Sequence, residues 1–133
     1  MVRPVTAALE RGSAVPHWHL TTHDGRSFSY GSIWQQLNLV LVSLPPHTAD
    51  ADGYISALLA RDAEFRARRS DCVITRDRVP GLESPAVLVA DKWGEIIHVA
   101  TGGTVSDLPT ADDLVDWVDY VERRCPECEG EAQ

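Results

Sequence analysis

Cys125 and Cys128, in Cys125-Pro126-Glu127-Cys128, have the types and spacing most able to do chemistry. Two cysteines separated by two residues can be a redox dithiol or half of a metal site. The pair is expected just past the end of a helix, where the dipole is negative, and Glu127, Glu129 and Glu131 crowd it. Both effects raise a thiol pKa and make a poor nucleophile. A bound cation offsets them, because a metal deprotonates its thiol ligand outright. Three readings stay open: a half-site for zinc or iron, a reversible disulfide, and an inert tail. Two cysteines cannot complete a tetrahedral site. The missing ligands would come from a second protomer, from a partner chain, or from His17 and His19, which share one face of a predicted strand. The plainer reading of these two is half-exposed strand histidines. His23, His47 and His98 read as loop or strand residues without a chemical role. Cys72, at the start of a strand, reads as a small buried apolar residue.

The elements that must hold these groups belong to a chain of 133 residues, 44% apolar and 24% charged. That is one domain with a self-sufficient core. Net charge is −8, and the acidity is uneven. Residues 110–133 hold Asp112, Asp113, Asp116, Asp119, Glu122, Glu127, Glu129 and Glu131 against Arg123 and Arg124. That segment is either a solvated helix face with a tail or a docking surface for a basic partner. Nucleic acid is excluded as a main partner, since phosphate binding needs clustered Lys and Arg. No run approaches the roughly 20 apolar residues of a membrane span. Met1-Val2-Arg3-Pro4 lacks a secretory apolar core, and three cysteines do not suit a disulfide scaffold, so a cytoplasmic setting is expected. A protein partner or a homodimer is the expected association.

Residues 1–13 form an N-terminal lead. Residues 17–22 alternate as a strand, Asp24-Gly25 is a turn, and Ser27–Tyr30 is the returning strand. Residues 38–44 are a nearly continuous apolar run, which suits a strand buried on both faces. A helix follows, capped by Asp50 or Asp52, with Ile55, Leu58, Leu59 and Phe65 at helical spacing. Arg61, Arg66, Arg68, Arg69, Arg76 and Arg78 are either an anion patch or a solvated face with Asp62, Glu64 and Asp77 as partners. Residues 71–75 and 86–90 are strands, and 95–100 returns as a hairpin partner across Asp91-Lys92-Trp93-Gly94. Thr110 with Asp113 forms a capping box, opening a helix whose Leu114, Trp117, Val118 and Val121 make one apolar stripe. Pro126 stops it. Trp18, Trp34, Trp93 and Trp117 read as core or turn-covering aromatics. The class is α/β, a mixed sheet with helices on its faces.

Three stretches resemble the redoxin domains of the alkyl hydroperoxide reductase/thiol-specific antioxidant type, which share the thioredoxin-like fold. They are residues 15–29, the turn 30–37, and Ser84-Pro85-Ala86-Val87-Leu88-Val89-Ala90-Asp91-Lys92-Trp93-Gly94-Glu95. The resemblance spans residues 14–124, leaving 125–133 as an acidic tail with the Cys pair. It implies a cis bond before Pro85 and a substrate groove formed by Ser84, Pro85, Thr48 and Ala51; a plain turn at Pro85 is the alternative. Cys-Pro-x-Cys also resembles a zinc or rubredoxin knuckle.

The departures bear on function. Redoxins carry a reactive Cys just after the first core strand, where a helix N-terminus stabilises the thiolate. Here residues 44–53 contain no Cys, and the peroxidase pattern Thr-x-x-Cys falls on Thr48 and Ala51. Ser84-Pro85 stands where peroxiredoxins place an Arg. Residues 70–83 are short for the usual middle helix. Peroxidase activity is therefore not expected. The expected function is a binding or assembly module with a metal or disulfide site at Cys125 and Cys128. The rival is a thiol–disulfide oxidoreductase using those two as catalytic residues. Their site should lie about 20 Å from the usual one, given a helix of roughly 14 residues.

Overall fold

The computed structural model describes residues 9–45 and 49–123. A two-stranded antiparallel hairpin comes first, β1 (His19–Thr21) with β2 (Ser27–Ser29). A four-stranded sheet in the order β4-β3-β5-β6 follows. Its strands are β3 (Asn38–Ser43), β4 (Ser70–Thr75), β5 (Ala86–Ala90) and β6 (Ile96–Thr101). β3 and β4 are parallel, so the chain between them must cross over; β3–β5 and β5–β6 are antiparallel. The helices are α1 (Ala49–Leu59), α2 (Asp62–Ala67) and α3 (Ala111–Arg123).

Strand alternation divides the core into two layers. Val40, Val42, Val87 and Val89 face one side, with Ile55 and Leu58 of α1, Phe65 of α2 and Leu114, Val118 and Val121 of α3. Leu39, Leu41, Leu88 and Ile96 face the other, with Trp18, Leu20, Phe28, Tyr30 and Ile33. All three α-helices thus share one face, and the hairpin with the turn after it covers the other. Residues 76–85 hold only a turn, bridged between Val79 and Leu82, where the redoxin pattern has a helix. The hairpin is pinned at the β4 edge: Thr75 Oγ1 donates to Thr21 O (2.7 Å), His23 N to Ile74 O (2.8 Å), and Thr21 N to Asp77 Oδ2 (2.7 Å).

Several expectations need correction. The predicted strand 17–22 is only His19–Thr21, so His17 lies before it. The single helix expected through Phe65 is two helices. Arg61 leaves helical geometry, and its carbonyl accepts from Glu64 N (2.9 Å) and Phe65 N (3.1 Å), restarting the turn as α2. Apolar spacing is the same for one helix or two, so periodicity cannot show the break. The Thr110 capping box is present: Thr110 N donates to Asp113 Oδ2 (3.0 Å) and Asp113 N to Thr110 Oγ1 (3.1 Å). The β5–β6 turn needs Gly94, which sits at φ +88 and whose added Cβ would stand 3.3 Å from Tyr30 Oη.

Candidate functional site

The candidate site lies at the C-terminal end of β3. There the sheet brings together Ser43, the end of β4 at Thr75 and the start of β5 at Ala86. Ser84 precedes β5, and its Oγ donates to Ser43 O at 3.3 Å. The Ser84–Pro85 bond is cis. Pro85 O accepts from Gly102 N (3.2 Å), which joins the end of β6 to the same corner. Ser43 Oγ is fully buried with no hydrogen-bond partner among the described residues. Ala51, in the first turn of α1, is fully buried in the helical-side core.

One residue that the sequence left unresolved organises this corner. Arg76, just past β4, donates from Nη1 to Pro45 O (3.1 Å) and from Nη2 to Asp52 Oδ1 (2.9 Å). It thereby ties the exit of β4 to the exit of β3 and to the first turn of α1. Asp50 and Asp52 suit that helix terminus, where the dipole favours negative charge. The same carboxylates make the place unfavourable for a thiolate. No local sequence signal could reveal the Arg76 contacts, since its partners are 24 and 31 residues away. The other arginines mix local and distant partners: Arg66 pairs with Asp62, Arg61 with Glu64 and Asp112, and Arg68 with Asp119.

Of the residues singled out from sequence, the structure brings Ser84, Pro85 and Ala51 to this end of the sheet. Thr48, His47, Cys125 and Cys128 lie outside the described residues. α3 runs away from the corner: Asn38 Nδ2, at the opposite end of β3, donates to Glu122 Oε2 in its last turn (2.8 Å). Six residues of β3 span about 20 Å. His17 and His19 are exposed on the hairpin side of the sheet, with the His17 ring edge-on to Tyr30 and Trp34. No cluster of three metal-ligating side chains occurs among the described residues. Trp18 is buried, whereas Trp34 and Trp93 are exposed. His98 is not featureless: it stacks on Trp117.

Cys72, expected to be buried, is only half-buried, because it sits on the edge strand β4 and packs against the helical-side core from its margin. Burial pushes its thiol well above the usual range, and Asp71 and Asp62 add to the shift. Thiolate is the reactive species, and its fraction falls tenfold for each unit of pKa. In a Cys125→Ser/Cys128→Ser variant, native Cys72 should react with DTNB at least about tenfold more slowly than after denaturation. Equal rates would show that burial does not protect it.

No family model matches the sequence, and no curated protein matches it. Solved structures do match. A thiol:disulfide interchange protein of the thioredoxin family from Chlorobium tepidum TLS aligns with TM-score 0.63 and 13% identity, over 86% of this chain and 99% of that one. Plasmodium vivax 2-Cys peroxiredoxin aligns with TM-score 0.65 and 12% identity, over 87% and 81%. A peroxiredoxin-like protein from Aquifex aeolicus aligns with TM-score 0.62 and 13% identity, over 88% and 90%. These likenesses show a thioredoxin-like fold.

Proposed function

We propose that this thioredoxin-like domain is a binding or assembly module that performs no peroxidase chemistry. The carrying observation is the corner after β3, where redoxins hold their nucleophile. No Cys occurs in residues 43–53, Ala51 is buried in the core, and the Arg76–Asp52 pair spans the start of α1. Cys125 and Cys128 then serve as a structural site, a zinc or iron half-site or a disulfide. The crowding glutamates and the negative end of α3 favour that role over a nucleophilic one. The sheet separates α3 from His17 and His19, which favours a second protomer or a partner chain as the source of further ligands. A reducing, cytoplasmic setting suits the metal form of the pair, since it keeps thiols available as ligands.

Elemental analysis of untagged protein, beside native and denatured thiol titration, tests the site. A metal half-site predicts about one zinc or iron per two chains, with two thiols silent until chelation. A disulfide predicts no metal and thiols that appear only after reductant. Peroxide decay and insulin reduction should match the buffer blank in either case. Disulfide turnover abolished by Cys125→Ser would overturn the module reading in favour of a thiol–disulfide oxidoreductase.

A further inference from the structure

A groove of about 790 Å³ lies between α3 and the edge strand β6. Its wall is aromatic. Trp117 stacks on His98 with ring centroids 4.3 Å apart and planes 13° from parallel, and Tyr120 meets Trp117 edge-on at 6.0 Å. Trp117 is only partly buried and Tyr120 is about half exposed. Burial, and then the charge of Arg11, lower the His98 pKa, so a neutral ring backs the indole near pH 7.

The groove also gathers acids, from α3 and the turn before it, that no described cation pairs. Asp112 is paired by Arg61, Asp119 by Arg68 and Arg123, and Glu122 by Arg69. Asp107, Asp113 and Asp116 line the groove, and none has an ion-pair partner among the described residues. Asp107 and Asp113 accept from backbone N–H groups, which leaves their charge in place. Among the described residues, Arg11 is the one cation in the lining. Aromatic rings beside exposed carboxylates that no described cation pairs are surroundings a guanidinium favours, because it stacks on the ring while donating to the acid.

We propose that this groove docks an arginine side chain from a basic segment of a partner protein. The occupant is a peptide rather than a small cation because the acids are strung along the groove. Asp113 and Asp116 stand about 4.5 Å apart along the helix axis, and the groove is open along its side, so an extended segment can use successive carboxylates. A second copy is disfavoured as the occupant of this groove, because its lining is acidic and attracts a basic segment rather than a chain whose balance is −8. The inference does not depend on the cysteines and survives either outcome of the metal analysis.

The test is fluorescence anisotropy of a labelled peptide of alternating arginine and glycine with the full chain, beside the same peptide carrying citrulline. Citrulline keeps the shape and removes the charge. The arginine peptide should bind at least about tenfold more tightly than its citrulline counterpart at low salt. Tyr120→Ala should weaken it about fivefold, and Asp116→Asn about threefold. Both variants should keep the wild-type thermal midpoint. Arg11→Gln, which removes the resident cation, should tighten binding. The proposal is overturned by no binding up to about 1 mM, by equal binding of the citrulline peptide, or by indifference to both variants. Displacement by tetramethylammonium as effective as by unlabelled peptide would make this a small-cation site and also overturn it.

Discussion

Phe65→Ala is expected to cost the fold about 3–5 kcal/mol. Phe65 is fully buried, and it is the buried residue that α2 contributes to the core. A six-residue helix has almost no stability of its own and is held by packing. Removing the ring leaves a cavity in the helical-side core, and no other side chain of α2 is buried. The loss should spread electrostatically, because α2 and the turns flanking it carry Arg61 and Arg68, which neutralise Asp112 and Asp119 on α3. Urea unfolding followed by circular dichroism measures the change. Leu59→Ala, at an exposed site one helix earlier, should stay within about 0.5 kcal/mol. A Phe65→Ala loss below about 1 kcal/mol would mean that α2 is not held as described.

Asn38→Leu should lose about 2–3 kcal/mol despite preserving size and adding apolar surface. Asn38 is buried at the start of β3, and its Nδ2 donates to Arg68 O (3.2 Å), Ser70 Oγ (3.4 Å) and Glu122 Oε2 (2.8 Å). One amide therefore joins β3 to the α2–β4 turn and to the last turn of α3. A leucine leaves the Glu122 carboxylate with Arg69 at 4.0 Å as its remaining ion-pair partner. Arg68 O still accepts from Ser70 Oγ (2.9 Å) and Glu122 is partly exposed, so the cost is the loss of the charge-assisted bond and of the tether it makes. Hydrogen exchange should show the loss concentrated in the last turn of α3, the turn that leads toward Cys125. A uniform loss across the sheet, or none, would refute the tether.

The strands and the final helix were legible because their signals are local. Residues 38–44 form an apolar run bounded by Pro45 and Pro46, and the strand observed is Asn38–Ser43. Thr110 and Asp113 are three residues apart, so their mutual capping could be read directly. The missing middle helix was legible from the shortness of residues 70–83. The stripe on α3 was nearly right: Leu114, Val118 and Val121 are buried, but Trp117 is only partly so, and Val115 takes a core place instead.

The candidate site was legible in its negative half alone. That no cysteine follows β3 can be read from the letters; that Arg76 spans this corner cannot. Arg76 looked like one more member of an arginine run, and only the parallel pairing of β3 with β4 brings it beside Pro45 and Asp52. The same holds for His98 and Trp117, which come from a strand and a helix with a loop and turn between them. The sequence by itself determined the element types, the two-faced burial of the central strands, the α3 cap and the acidic balance. Each of those depends on a few neighbouring residues and on a period of 2 or 3.6. Tertiary structure alone decided that all three helices share one face, which acids on α3 are neutralised, and which remain to line a groove. Those outcomes depend on contacts across tens of residues, where spacing along the chain says nothing about distance in space.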